Sequence, residues 1–473
     1  MTNTTRHSLR RRDVTAMHAI PLSPRAWRLV AAVSIGLVSS ACGRQSPAPH
    51  AAAPATPLRS DEEIRELDIA FYADRVQRDP TGGSDLARLG ALYLARARET
   101  GDPHDVLLAE EAARHSLSNR AERNGAAASV LQSSLLAQHR FDEALHLAVA
   151  ARDAEPDKPR LRAAVGEIQM ELGQYDSARV AFAELHAPLG DLTIAPRLAR
   201  WAEIEGQPER ALRMLRAALA MAKREPTLPR EQLAWYHLRV GDVELRTGRP
   251  VSADSAYLAG LAVHPGDYRI LSALSHSALV QRRWRDAIAY GEQAIARTLD
   301  PATLGTLSDA YAAAGDSAKS AEYAHVLDVA VLRQPGAYHR AWSLFLLDHD
   351  RHVATVSRKI REELRTRRDI YAYDLLAWSL HKQGRDRDAA VAMKSALAQG
   401  TVDAQLFYHA GIIERAGGNA DSARVLLERA LAVNPYFHPS QVADARAVLA
   451  SLPPRGDERT VATSPLSRVE TAR

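Results

Sequence analysis

The sequence predicts an all-α protein built as a solenoid of antiparallel helix pairs, and three observations predict it. A small alanine recurs at Ala144, Ala178, Ala211, Ala253, Ala287, Ala321, Ala389 and Ala423, and at Ala211, Ala253, Ala389 and Ala423 a large residue follows four later and a small one three after that. The steps are 34, 33, 42, 34, 34, 68 and 34 residues, a fixed period of the kind that marks repeat architectures. Glycines at Gly173, Gly248, Gly315, Gly384 and Gly418 fall where the two helices of a unit must turn. Within residues 370–400, Tyr373, Leu376, Ala377 and Leu380 form one apolar stripe at helical spacing, and Ala389, Met393 and Ala396 form a second after the turn.

The chain has 473 residues, and its first 41 read as a leader. Residues 6–28 are rich in arginine, and residues 29–41 form an apolar and small-residue run of 13. That is the length of a signal-peptide core and too short to span a bilayer as a helix. The run ends directly at Cys42, the single cysteine of the chain, which excludes an intrachain disulfide framework, a multi-cysteine zinc site and an iron–sulfur cluster within one chain. Small residues before a lone cysteine resemble a bacterial lipoprotein lipobox, although Ser39 stands where that pattern usually has Leu, Val or Ile. The resemblance implies that residues 1–41 are removed and that Cys42 carries palmitate-type acyl chains, two or three of which hold a protein firmly on a membrane. Gly43 follows where some bacteria place the aspartate that retains a lipoprotein in the inner membrane, so the outer membrane, facing the periplasm, is the expected address. Both Met1 and Met17 fit as the start.

Residues 42–60 read as a Pro/Ala-rich tether, residues 61–452 as the solenoid and residues 453–473 as a disordered tail. Ser60 and Asp61 suit a helix start and Asp79-Pro80 a stop, which predicts a helix between them. Leu89-Gly90 and Tyr93 open a variant repeat whose second helix falls around 107–117. The clearest repeats run from 124 to 436, with units at 158–190, 234–266, 370–400 and 403–436. The long 42-residue step places an eight-residue excess in a loop around 222–230, and the 68-residue step hides a degenerate unit near Ala354. Residues 441–452 read as one solvating cap helix, as repeat arrays require.

The 34-residue helix–turn–helix pattern, with Val165-Gly166, Val240-Gly241, Leu376-Ala377 and Ala410-Gly411 before the recurring alanine and Pro156, Pro265 and Pro435 closing units, resembles the tetratricopeptide repeat over about residues 80–436. The resemblance implies about nine or ten repeats stacked into a right-handed superhelix, because one unit cannot bury its apolar face alone. It also implies a concave groove lined by the first helix of each unit. Transferring the groove positions through the repeat phase gives Arg160 and Glu167, Arg200 and Glu203, Trp235 and Asp242, Arg269 and His276, then Tyr371, Asp374, Trp378 and His381, and finally Tyr408 and Arg415. Arginine and aromatic side chains are frequent anchors of protein interfaces, whereas Trp378 and Tyr408 equally suit packing between adjacent first helices.

No catalytic constellation is legible: the chain has no phosphate-binding loop, no H-E-x-x-H and no nucleophile elbow, so no enzyme activity, cofactor or metal is expected. The run Asp348-His349-Asp350-Arg351-His352 has metal-ligand residue types but falls where the degenerate unit should turn, and reads as a solvated turn. The net charge of +4 is carried by the leader, whose six arginines and one acid leave 55 basic against 56 acidic residues once removed. That balance argues against nucleic acid as a partner. Four asparagines after residue 60, all at turns or between units, argue against the carboxylate clamp of chaperone-binding relatives. The expected function is a non-enzymatic, membrane-tethered scaffold that binds other envelope proteins through its concave groove. The alternative is an accessory subunit or small-ligand sensor of an envelope enzyme system, which requires titratable groups such as His276 and Asp309 to converge in one cleft.

Overall fold

A computed structural model describes residues 59–185, 190–333 and 340–453; the leader, nearly all of the tether and the tail beyond 453 lie outside the described residues. All the regular structure described is helical. A single helix α1 (Asp61–Arg78) comes first, and Ser60 caps it as predicted, accepting from the Glu63 amide while the Glu63 carboxylate accepts from the Ser60 amide. Ten hairpins follow among the described residues. They are α2 (Gly83–Thr100) with α3 (Pro103–Asn119), α4 (Gly125–Ala137) with α5 (Phe141–Ala154), α6 (Pro159–Glu171) with α7 (Tyr175–Ala183), α8 (Ala195–Ile204) with α9 (Pro208–Ala222), and α10 (Arg230–Arg246) with α11 (Pro250–Val263). Then come α12 (Tyr268–Val280) with α13 (Trp284–Ile295), α14 (Pro301–Ala314) with α15 (Ser317–Arg333), α16 (Arg340–Asp348) with α17 (Val353–Glu363), α18 (Ile370–His381) with α19 (Asp386–Leu397), and α20 (Ala404–Ala416) with α21 (Ala420–Val433). The last helix, α22 (Pro439–Ser451), stands alone and buries Val442, Ala445 and Val448 against the array.

The recurring alanine is the fourth residue of the second helix. Ala144, Ala178, Ala211, Ala253, Ala287, Ala389 and Ala423 are all fully buried, because small side chains let the two helix backbones of a hairpin approach closely there. Two of the predicted positions need correction. Ala321 and Ala354 are exposed. The second helix of the seventh hairpin starts one residue sooner, which puts Ser320 on that register, and in the eighth hairpin the fully buried Val356 takes the place. The glycines before the alanines act in the same way: a Cβ on Gly241 would overlap the ring of Tyr257 on α11. Acidic caps start many first helices, with Asp267, Asp300, Asp369 and Asp403 each accepting from amides of the following turn.

The hairpins form a ribbon with two edges, one made by the turns inside hairpins and the other by the loops between them. The ribbon coils so that its two edges touch. Gly173, in the turn of α6 and α7, packs against the Arg368 backbone, and the Arg368 amide donates to the Leu172 carbonyl at 3.0 Å. Gly206, in the next turn, packs against the Gly400 carbonyl, and the Thr401 hydroxyl donates to the Ile204 carbonyl at 2.5 Å. Asn434 donates to the Leu245 carbonyl at 2.9 Å beside Gly248, and Thr298 donates to the Thr100 carbonyl at 2.5 Å beside Gly101. In every case the turn of one hairpin meets the loop that follows the fifth hairpin after it. The four turn glycines have φ between 72° and 76°, a left-handed conformation that bares the backbone for the neighbouring loop. Gly315, Gly384 and Gly418 have the same sign of φ but no atom near an added Cβ.

Candidate functional site

Because the edges meet, the inner face is an enclosed lumen rather than an open groove. Its walls are first helices. A cleft of about 730 Å³ is lined from α10, α12, α14 and α16, and is completed by Gln405 of α20 and by Phe437 and His438 ahead of α22, which belong to the following turn of the coil. A second cleft of about 390 Å³ is lined by Glu167, Glu171, Arg367 and Tyr371. Arg340 lines both.

Arg340 is the first residue of α16, and its guanidinium sits 4.5 Å from the centroid of the Tyr371 ring. It pairs with Asp374 at 3.3 Å and Asp403 at 3.8 Å. Arg200 lies 5.3 Å from the same ring, so one tyrosine joins arginines from α8 and α16. Glu203, only 7% exposed, receives Arg239 at 3.3 Å, Arg200 at 3.6 Å and Arg246. Burial alone would raise the Glu203 carboxyl, but the three guanidinium groups outweigh it and hold it below the usual range.

Deeper in the larger cleft, titratable groups converge. Asp309 of α14 accepts from His349 at 2.9 Å and faces His438 at 3.6 Å. Burial raises the Asp309 carboxyl, yet these two imidazoles bring it below its ordinary value, while the bond to Asp309 raises His349. His276 lines the same cleft, and burial together with the nearby His438 pushes it down to about 4, so it is neutral at pH 7. Asp348 accepts from the Trp378 indole at 2.8 Å and from Gln441 of α22 at 2.9 Å. These two donors are uncharged, and burial raises its carboxyl.

The structure brings together part of the predicted set. Asp242, Arg269 and His276 line the larger cleft, Glu167 and Tyr371 line the smaller, and Arg200 meets Tyr371. Arg269 is held by Glu231 at 2.8 Å and Asp267 at 2.6 Å. Asp374 is fully buried between Arg340 and His409. The remaining residues lie elsewhere. Arg160 and Arg415 are exposed, Trp235 packs edge-on to Tyr236, and His381 bonds to Asp386 at 2.6 Å. Trp378 and Tyr408 are 4% and 5% exposed: Trp378 stacks on His409 at 4.2 Å, and Tyr408 donates to Asp444 at 2.9 Å. They are core residues, because neighbouring first helices in this coil approach closely enough to cover both rings.

Arg340, Asp348, His349 and His438 are the residues that sequence reasoning missed. The run 348–352 does contain a turn, with Asp350 and His352 at positive φ, but its first two residues face inward. Among the described residues no three His, Cys, Asp or Glu side chains are grouped as a metal ion would require. No described helix is long and apolar enough to cross a membrane.

Residues 135–191 match the family model described as tetratricopeptide repeat. Among solved structures, the chain is similar to the APC/C hetero-tetramer Cut9-Hcn1, at 13% identity over 82% of this chain and 94% of that one, with a TM-score of 0.32. It is similar to a tetratricopeptide repeat protein from Parabacteroides merdae, at 14% identity over 54% of this chain and 97% of that one, with a TM-score of 0.32. It is also similar to PilW, a type IV pilus biogenesis factor, at 16% identity over 53% of this chain and 94% of that one, with a TM-score of 0.31. No curated protein matches the sequence. The matched segment is a tetratricopeptide repeat, and helix hairpins of the same design continue it on both sides.

Proposed function

We propose that this chain is a non-enzymatic scaffold, tethered to the cell-envelope membrane through acyl chains on Cys42 and facing the periplasm, that binds other envelope proteins through its inner face. Repeats of this family suggest a protein-interaction scaffold. The observation that carries the reading is the lumen itself, walled by first helices and lined by mixed charged and aromatic side chains over a cleft of about 730 Å³. The lone cysteine after a small-residue run supports the tether.

The test is isolation from native membranes. Mass spectrometry of the mature amino terminus is expected to find an acylated Cys42, and Cys42→Ser is expected to release the protein from the membrane. A photo-crosslinking residue at position 273, which lines the cleft, is expected to capture a recurrent envelope protein. The same residue at position 391, on the outer face, is not. An intact leader or equal capture from both positions overturns the reading.

A second reading, a small-ligand sensor or accessory subunit, is favoured by one observation: His276, Asp309, His349 and His438 meet in a cleft of small-molecule size. Native mass spectrometry that finds a small solute retained by the wild type and lost in His276→Ala supports it over protein capture.

A further inference from the structure

We infer that the contact between successive turns of the coil is a latch that governs entry to the lumen, and that the partner the latched protein fits is the free end of an extended chain, admitted end-on. This rests on the reading that the inner face binds partners, but its test needs no partner.

A ribbon whose two edges touch along a coil encloses its inner face sideways. The edges touch at Thr100–Thr298, Leu172–Arg368, Ile204–Thr401 and Leu245–Asn434, all in the same register. Further bonds cross the seam at Arg367, whose Nε donates to the Glu171 carbonyl at 3.1 Å, and at Tyr175, whose hydroxyl accepts from the Ile370 amide. Residues of the second turn, Gln405, Phe437 and His438, complete the cleft whose walls belong to the first. A folded partner, or the middle of a long chain, therefore reaches Asp242, His276 or Arg340 only after the edges part. A thin chain with a free end enters along the coil axis, and the cleft volume holds a few residues of it.

The seam is thinner than the boundary inside a hairpin. It is made of polar bonds, glycine contacts and one small apolar cluster in which Ile370 meets Met170, Tyr175 and Ile204, whereas each hairpin is held along its whole length by buried alanine, leucine and aromatic packing. Elements with few buried apolar contacts open first. Parting the edges requires no hairpin to unfold.

The experiment uses the full mature chain in a Cys42→Ser background with Ala273→Cys, a position lining the cleft. Three maleimides are compared: N-ethylmaleimide, a linear poly(ethylene glycol) maleimide, and a maleimide carried on a small folded protein. The first two are expected to label Cys at 273, and the folded carrier to react at least about tenfold more slowly than the linear polymer. The seam variant Gly173→Ala with Gly206→Ala adds Cβ atoms that overlap the Arg368 and Gly400 backbone. It is expected to accelerate the folded carrier by about tenfold while circular dichroism keeps its helix content. The control, Gly384→Ala with Gly418→Ala, carries the same left-handed strain without a seam neighbour and is expected to leave the rate unchanged. If the folded carrier labels the wild type as fast as the linear polymer, the lumen is not closed and the inference falls. If the seam variant labels no faster than the control, the seam is not the gate and the inference falls. Absence of a crosslinked partner in the native membrane would instead count against the scaffold reading and leave the latch standing.

Discussion

The hydroxyl of Tyr175 accepts a hydrogen bond from the amide of Ile370 at 2.8 Å, although the two residues stand 195 positions apart in the chain. Tyr175 opens α7 and Ile370 opens α18, so the bond ties the turn of the third hairpin to the first residue of the ninth. Burial raises the Tyr175 hydroxyl well above its ordinary value, which keeps it protonated under all ordinary conditions. The bond closes one turn of the coil on the next.

Tyr175→Phe keeps the ring in its cluster with Phe182 and Trp201 and leaves a buried amide without its acceptor. A loss of about 1–2 kcal/mol is expected in urea unfolding. Hydrogen exchange at the Ile370 and Arg368 amides is expected to quicken while amides inside α18 keep their protection. Uniform loss of protection would mean that the seam does not open separately.

Trp378→Ala and Tyr408→Ala are expected to lower stability by about 3–5 kcal/mol each, the cost of emptying buried aromatic sites. Trp378→Phe is expected to lose about 1–2 kcal/mol, because the ring still packs but Asp348 loses its indole donor. Arg160→Glu and Arg415→Glu, both exposed, are expected to stay within about 0.5 kcal/mol of wild type. Chemical denaturation of the five variants checks the division between core and surface.

Glu203→Gln leaves Arg200, Arg239 and Arg246 around a neutral amide. A loss of about 3–5 kcal/mol is expected, the range for uncovering buried charge. Glu205→Gln removes a single partner, Arg179 at 3.5 Å, at a more exposed position and is expected to cost less than about 1 kcal/mol. Equal costs in thermal and urea unfolding would show that the three-arginine cluster contributes no more than a surface pair.

The lumen histidines give stability opposite pH dependences. His276 has a folded value of about 4, below its ordinary 6.5, so as pH falls through that window the unfolded chain takes up its proton first and stability drops. Besides His438, which disfavours the proton, Asp309 and Asp242 face His276 and favour it. His349 is raised by Asp309, so its contribution is present below 6.5 and is lost as pH rises through its folded value. His276→Gln is expected to flatten the decline of the urea midpoint between pH 6.5 and 4, and Asp309→Asn to flatten the decline above 6.5. An unchanged slope in His276→Gln would show that the imidazole is hydrated and not buried.

Local rules made much of the fold legible. The step of 33–34 residues between alanines reports the spacing at which helix backbones meet, and this is a property of one hairpin and its neighbour. The helix start at Ser60, the variant first repeat and the position of the last helix were legible for the same reason. The register failed at Ala321 and Ala354 because a one-residue shift in where the second helix starts leaves the surrounding composition unchanged. The lumen was legible only where the phase was firm, at Glu167, Arg200, Asp242, Arg269, His276 and Tyr371. Arg340 was hidden because its first helix is only nine residues long and its repeat is degenerate. Trp378 and Tyr408 stand at groove positions by phase, yet burial depends on how closely adjacent helices approach.

By itself, then, the sequence determined the helix pairs, their period and their stacking, because these follow from side-chain size at fixed short spacings. It also carried the lone Cys42 after a run of apolar and small residues, which is written as a linear pattern. Only the tertiary structure decided that the coil closes on itself. The small rotation from one hairpin to the next, summed over five, brings Gly173 to Arg368 and Gly206 to Gly400, and no local pattern encodes that sum. From that closure follow the enclosed lumen and the approach of His438 to the pair that Asp309 and His349 form on neighbouring hairpins.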